Sequence, residues 1–218
     1  MARADRGPAR PAAKSPRQMT PNPVPPKAEL RRRFRAILRG IPAAQRAAAS
    51  AQSQALLRRQ KVWKEARSIL FYSPLPVEID LSPLLAEAMA EGKTVALPRF
   101  VASSGTYEAA QVSHPWRDCA PGQFGIVEPA ARCPSFPLMR LDLVLTPGLG
   151  FDVSGRRLGR GRGFYDRLLA AIAGAKCGVA FDQQIAGQIP AETHDVCMNY
   201  ILTPTRWVDV SESVAESQ

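Results

Sequence analysis

The run "LDLVLTP" at residues 141–147 constrains this chain more than any other feature. Leu143, Val144 and Leu145 place apolar side chains on both faces of an extended strand, so a strand built from them must be covered above and below. Other segments can supply those covers. "KAELRRRFRAILRG" sets Leu30, Phe34, Ile37 and Leu38 on one helical face, with arginines around the rest and Gly40 as its stop. A second helix is expected from Pro42 to about Gln60, with Pro42 in its first turn. "SPLLAEAMAEG" offers Ser82 as a cap, Pro83 at the first helical position and Gly92 as a stop. "FYDRLLAAIAG" turns Phe164, Leu168, Leu169 and Ile172 inward as a further helix. Short strand candidates, "RSILFYS", "TVALPRF", "YEAAQV", "KCGVAFD" and "YILTP", lie between and after these segments. Strands separated by helices predict a layered α/β domain with a mostly parallel sheet.

Composition removes several classes. Among 218 residues, 45% are hydrophobic, which supports a sizeable core. No uninterrupted apolar run is long enough for a membrane span. The cysteines Cys119, Cys133, Cys177 and Cys197 form no C-x-x-C pair, and His114 and His194 lie far apart, so no zinc-finger spacing exists. Unpaired thiols and the lack of an apolar signal core predict a reducing, cytoplasmic setting. The net charge of +10 would suit a nucleic acid, but a basic surface attracts any polyanion. Part of the charge sits in residues 1–26, a stretch rich in proline, alanine and arginine with almost nothing to bury. That stretch is expected to be a disordered tail, the α/β domain to span residues 27–206, and residues 207–218 to form a carboxyl-terminal tail.

"GRRLGRGRGFYDRLLA", residues 155–170, carries four glycines and five arginines at the start of a helix that follows the apolar strand. Ligands of open α/β sheets usually sit at the carboxyl ends of strands, where this loop falls. Gly159, Gly161 and Gly163 would let backbone N–H groups approach an anion, and Arg157, Arg160 and Arg162 could supply forked donors. The following helix would add the positive end of its dipole. The loop has no G-x-x-x-x-G-K-[ST] or dinucleotide pattern. A phosphate cradle, an exposed basic turn and a nucleic-acid contact all remain open on spacing alone. Asp166 favours the helix start in any protein; beside phosphates it could instead hold a magnesium ion, with Asp195 as a second ligand.

"LTPGLGFDVSGRRLGRGRGFYDR" closely resembles the signature of the 5-formyltetrahydrofolate cyclo-ligase (5,10-methenyltetrahydrofolate synthetase) family. "KAELR", "FYSPLPVEIDLSPLL", "GKTVALPRF", "GQFGIVEP" and "GVAFDQQIAGQIPAETHDVCMNYILTPTR" resemble further elements of that family in the same order, from Lys27 to Arg206. The resemblance implies a three-layer α/β/α, Rossmann-like single domain that uses ATP and Mg2+ to convert 5-formyltetrahydrofolate to 5,10-methenyltetrahydrofolate. It assigns Lys27 and Arg31 to ATP, together with the loop Arg157, Leu158, Gly159, Arg160, Gly161, Arg162, Gly163, Phe164 and Tyr165. Arg160, Arg162 and Tyr165 would stand nearest the chemistry, and Asp166 and Asp195 would bind magnesium. Glu78 would contact the folate, with Ser73, Phe151, Arg160 and Tyr165 also on the substrate side. Glu128 and Arg99 are left to structural roles. Arg162 stands where a small residue or lysine is also common, and Phe164 where a second tyrosine can stand. A folate substrate, a monomer, and no nucleic-acid or membrane partner complete the expectation. Its alternatives are an ATP-binding relative with another substrate or none, and a basic nucleic-acid-binding protein.

Overall fold

The computed structural model describes residues 24–215; most of the expected amino-terminal tail lies outside them. The large sheet has eight strands. In spatial order they are Trp207–Asp209, Tyr200–Leu202, Ala175–Val179, Leu143–Pro147, Ser68–Leu70, Thr94–Val101, Thr106–Val112 and Ser135–Phe136. The five from Tyr200–Leu202 to Thr94–Val101 are mutually parallel, and each strand beyond them at either edge pairs antiparallel with its inner neighbour. Leu143–Pro147 lies near the middle, between Ser68–Leu70 and Ala175–Val179.

The period of two divides the core between the sheet's faces. Leu143, Leu145, Ile69, Val95 and Leu97 join Leu30, Phe34 and Leu38 of helix Lys27–Gly40 and Leu84 and Leu85 of helix Pro83–Ala90. Val144, Leu70, Ala96 and Ile201 turn the other way and meet Leu168 and Leu169 of helix Phe164–Ala170. Alternate residues of one strand thus serve separate cores, which makes the fold a three-layer α/β/α domain. Among the described residues, no helix is long and apolar enough to cross a membrane.

Several local expectations change. The second helix is Ala43–Arg58, with Pro42 as its extended cap rather than inside its first turn. Ser82 makes no side-chain cap; its N–H instead donates to Asp80 Oδ1 at 2.8 Å. The helix after the glycine-arginine loop ends at Ala170, although Ile172 beyond it is still buried. Seven residues give little macrodipole, so positive charge at this loop must come chiefly from its side chains. At the other end, residues expected to trail from 207 supply an edge strand, Trp207–Asp209, and a helix, Val210–Ala215. The Trp207 ring stacks on Tyr200 with centroids 4.9 Å apart, a cross-strand contact invisible to local patterning.

Candidate active site

Strand Leu143–Pro147 leads into a small sheet made by Gly150–Asp152, Arg157–Leu158 and Ile185–Ala186. From it the glycine-arginine loop rises as a wall with a cavity on each side. The larger cavity, about 340 Å³, is lined by Leu75, Glu78, Tyr107, Ile126, Arg160, Arg162, Phe164 and Tyr165, among others. A smaller recess of about 80 Å³ adjoins it and adds Ser73 and Pro98. Across the wall, a cavity of about 150 Å³ is lined by Lys27, Arg31, Glu192, His194 and Asp195. Arg157, Gly159, Gly163 and Asp166 line both principal cavities.

The wall is held by ionic contacts between distant segments. Arg157, with a side chain only 4% exposed, gives Nη2 to Asp166 Oδ1 at 2.7 Å and Nη1 to the Pro147 carbonyl at 3.3 Å. Its guanidinium lies over the Tyr165 ring, 5.5 Å from the centroid, and its buried Nε has no hydrogen-bond partner. Arg160 Nη2 meets Glu78 Oε1 at 2.7 Å, while Glu78 Oε2 accepts the Leu75 N–H at 3.0 Å. Helix Lys27–Gly40 braces the loop from behind: Arg31 Nε donates to the Gly159 carbonyl at 3.1 Å and Arg35 to that of Arg160 at 3.4 Å. Lys27 Nζ bridges Asp195 at 2.7 Å and Glu192 at 2.8 Å.

Glycine is required at several points. Gly161 and Gly163 have φ of +106° and +64°, which L side chains rarely adopt. Burial and the nearby Glu78 carboxylate push the Tyr165 phenol far up, so it stays a neutral donor. Burial opposes the charges of Lys27 and Asp195, but their mutual contact together with Glu192, whose carboxylate meets Lys27 and whose N–H meets Asp195, outweighs it: the Lys27 ammonium is raised and the Asp195 carboxyl lowered. Both remain charged near neutrality.

The 5-formyltetrahydrofolate cyclo-ligase family model matches residues 24–204. The chain belongs to the 5-formyltetrahydrofolate cyclo-ligase family. A relative of that name from Mycolicibacterium smegmatis is 38% identical over 152 residues, covering 65% of this chain and 76% of its own. The Mus musculus 5-formyltetrahydrofolate cyclo-ligase is 27% identical over 197 residues, covering 81% of this chain and 90% of its own. In three dimensions the chain is similar to the Aquifex aeolicus 5,10-methenyltetrahydrofolate synthetase, with a TM-score of 0.77 and 28% identity, covering 84% of this chain and 92% of that one.

For this cyclo-ligase family member, the residues expected at the site fall into three groups. Lys27, Arg31, Glu78, Arg160, Arg162, Tyr165, Asp166 and Asp195 line the two principal cavities, and Ser73 lines the adjoining recess. Leu158 lines the smaller principal cavity but is almost fully buried, and its carbonyl accepts the Leu149 N–H at 2.8 Å. Phe151 does not belong to the substrate wall. It is fully buried, its ring filling the space where Cβ atoms of Gly148 and Gly178 would stand, at 2.7 Å and 2.4 Å. Tyr107, Ile126, Glu192 and His194 line the cavities without having been expected there. Ile126 lay in the quoted element "GIVEP" and Glu192 and His194 in "AETHDV", but no local pattern separated them from their neighbours. Arg99 binds Glu108 and the Ala130 and Cys133 carbonyls, and Glu128 accepts the Phe100 N–H.

Proposed function

We propose that this chain converts 5-formyltetrahydrofolate to 5,10-methenyltetrahydrofolate, with ATP consumed to ADP and phosphate and Mg2+ required. The observation that carries the reading is the shared wall, with a largely apolar cavity on one side and a charged one on the other. Bound ATP would supply the phosphoryl group that turns the formamide oxygen, a poor leaving group, into phosphate, while Mg2+ neutralises charge on the phosphate oxygens.

The chain's own residues fit that task. Lys27, Arg31 and the loop's backbone would hold the phosphates in the smaller cavity. The unpartnered Nε of Arg157, at the shared wall, favours an oxyanion nearby. Asp166 and Asp195 line that same cavity, and no group of three or more metal-ligating side chains occurs among the described residues. The carboxylates of Asp166 and Asp195 would hold a magnesium ion, which needs no all-protein cage of ligands. On the opposite side, Glu78 would accept N–H bonds from the pterin edge, and Tyr107, Ile126 and Tyr165 would cover the ring and exclude water. Arg160 and Arg162 would stabilise negative charge on the transferring phosphoryl group and on the oxygen that later leaves with it. The folate's N10 would then attack the activated carbon and give up its proton, closing the five-membered ring as the C–O bond breaks and phosphate leaves.

Every residue in this account comes from one chain, so a monomer suffices. The four cysteines are free thiols, which suits the cytoplasm. A nucleic-acid platform is less well supported, because Phe164 and Tyr165 turn towards Tyr107, with centroids 5.6 Å and 6.2 Å away, rather than presenting stacking faces. The test is ultraviolet absorbance of the purified chain with 5-formyltetrahydrofolate, ATP and Mg2+. A methenyl-product band that needs all three supports the reading. Its absence from folded, ATP-binding protein would transfer the nucleotide site to another substrate.

A further inference from the structure

A tight turn behind the smaller cavity has no part in the mechanism above, yet it ties together two segments that line that cavity. Asp152 ends strand Gly150–Asp152 and is 1% exposed. Its Oδ1 accepts the N–H groups of Ser154 at 3.1 Å and Arg156 at 3.0 Å, and its Oδ2 accepts the Ile189 N–H at 2.8 Å. The Arg156 guanidinium stands 3.8 Å from Oδ2. The same turn is fixed at a second point. The Gly155 carbonyl accepts the Met198 N–H at 2.8 Å, and the Gly155 N–H donates to the Asp152 carbonyl at 2.9 Å. Gly155 has φ +80°, and a Cβ there would lie 2.5 Å from the Met198 carbonyl oxygen.

The turn therefore holds the segment 189–198 at both ends. That segment has no helix or strand of its own and carries Glu192, His194 and Asp195 into the cavity. In the other direction the turn runs directly into Arg157, Leu158 and the glycine-arginine loop. We propose that Asp152 is a positioning residue that fixes the Asp195 segment relative to the loop carrying Arg157 and Asp166, so that a nucleotide is gripped from two sides. This rests on the smaller cavity being the nucleotide site. The physical reason is that segment 189–198, lacking a hydrogen-bond ladder, takes its place from its anchors.

The test uses the full chain and Asp152→Asn. The asparagine oxygen can still accept from Ser154 and Arg156, but its amide N–H groups would face the Ile189 N–H in place of an acceptor. Amide hydrogen exchange without ligand should quicken at Ile189, Glu192 and Met198 while strands Leu143–Pro147 and Ala175–Val179 stay protected. The KM for ATP should rise about tenfold or more with the KM for the folate holding, as for loss of a support behind a ligand site. Gly155→Ala strikes the other anchor and serves if Asp152→Asn fails to fold; it should give the same pattern. Unchanged exchange and an unchanged KM for ATP in a variant, beside an active wild type, would overturn this inference alone. Wild-type protein that binds no ATP would overturn the proposed function and this inference together.

Discussion

The two principal cavities share the glycine-arginine loop and differ in what faces it. Towards the larger one stand Leu75, Tyr107, Ile126 and Tyr165, with the Glu78 carboxylate already bound to Arg160. Towards the smaller one stand Lys27, Arg31, Glu192, His194 and Asp195, a group dominated by charge. On the proposed function, flat ring surface and a polyanion would need these opposite surroundings, and a thin wall would let them meet across a short distance. Charges in the wall are fixed before any ligand arrives, because Arg157 is clasped by Asp166 and Arg160 by Glu78. Such fixed charges spare the reorganisation that water would demand.

Substitutions should therefore separate the two sides, and a loop arginine placed nearest the chemistry should matter most. Arg160→Ala is expected to lower kcat by about a hundredfold or more in a chain that still folds. Near-normal turnover would remove Arg160 from the chemistry. Lys27→Ala, on the charged side, should raise the KM for ATP about tenfold while leaving that for the folate alone, matching the loss of one charge-assisted contact. A rise in the folate KM instead would erase the distinction between the cavities. Glu78→Gln should do the reverse with a smaller effect, since the amide oxygen still accepts while the charge is lost. Steady-state titration of each substrate reads both variants.

A carboxylate outside both cavities provides the reference. Asp142 accepts the N–H groups of Arg67 and Ser68 and the Ser68 hydroxyl, all at 2.9 Å. Burial works against its charge, but these donors win and hold its carboxyl below the ordinary 3.8. Its contribution to stability is full above that value and is lost as pH falls through the lower folded one. Thermal melts should show Asp142→Ala less stable than wild type at neutral pH and the gap closing in acid, with activity constants unaffected. A gap independent of pH would show that the charge is not what holds these strands. Deleting residues 1–23 should have the smallest effect of all, leaving kcat/KM unchanged; a large loss would give that segment a role in the site.

Much of this molecule was legible because its signals are local. The parity of Leu143, Val144 and Leu145 announced a strand buried on both faces, and those side chains do enter two different cores. Gly161 and Gly163 marked backbone that other residues rarely adopt. Phe151 was misplaced because its neighbours in the chain say nothing of Gly148 and Gly178, whose missing side chains make room for its ring. Tyr107 was not expected because it looks like any strand aromatic until helix Phe164–Ala170 is packed beside it. The cap assigned to Ser82 was lost because Ser82 is itself in helical conformation and the Leu84 and Leu85 N–H groups donate to the Leu81 and Ser82 carbonyls.

Periodicity, glycine placement and residue chemistry are properties of neighbouring residues, so the sequence by itself determined the layered α/β class and the loop able to meet an anion. Only the tertiary structure decided which charges share that loop. Glu78 reaches Arg160 across 82 positions, and Lys27 reaches Asp195 across 168. Pairings at such separations depend on the sheet's strand order and register, which bring strand ends to one edge irrespective of their distance along the chain.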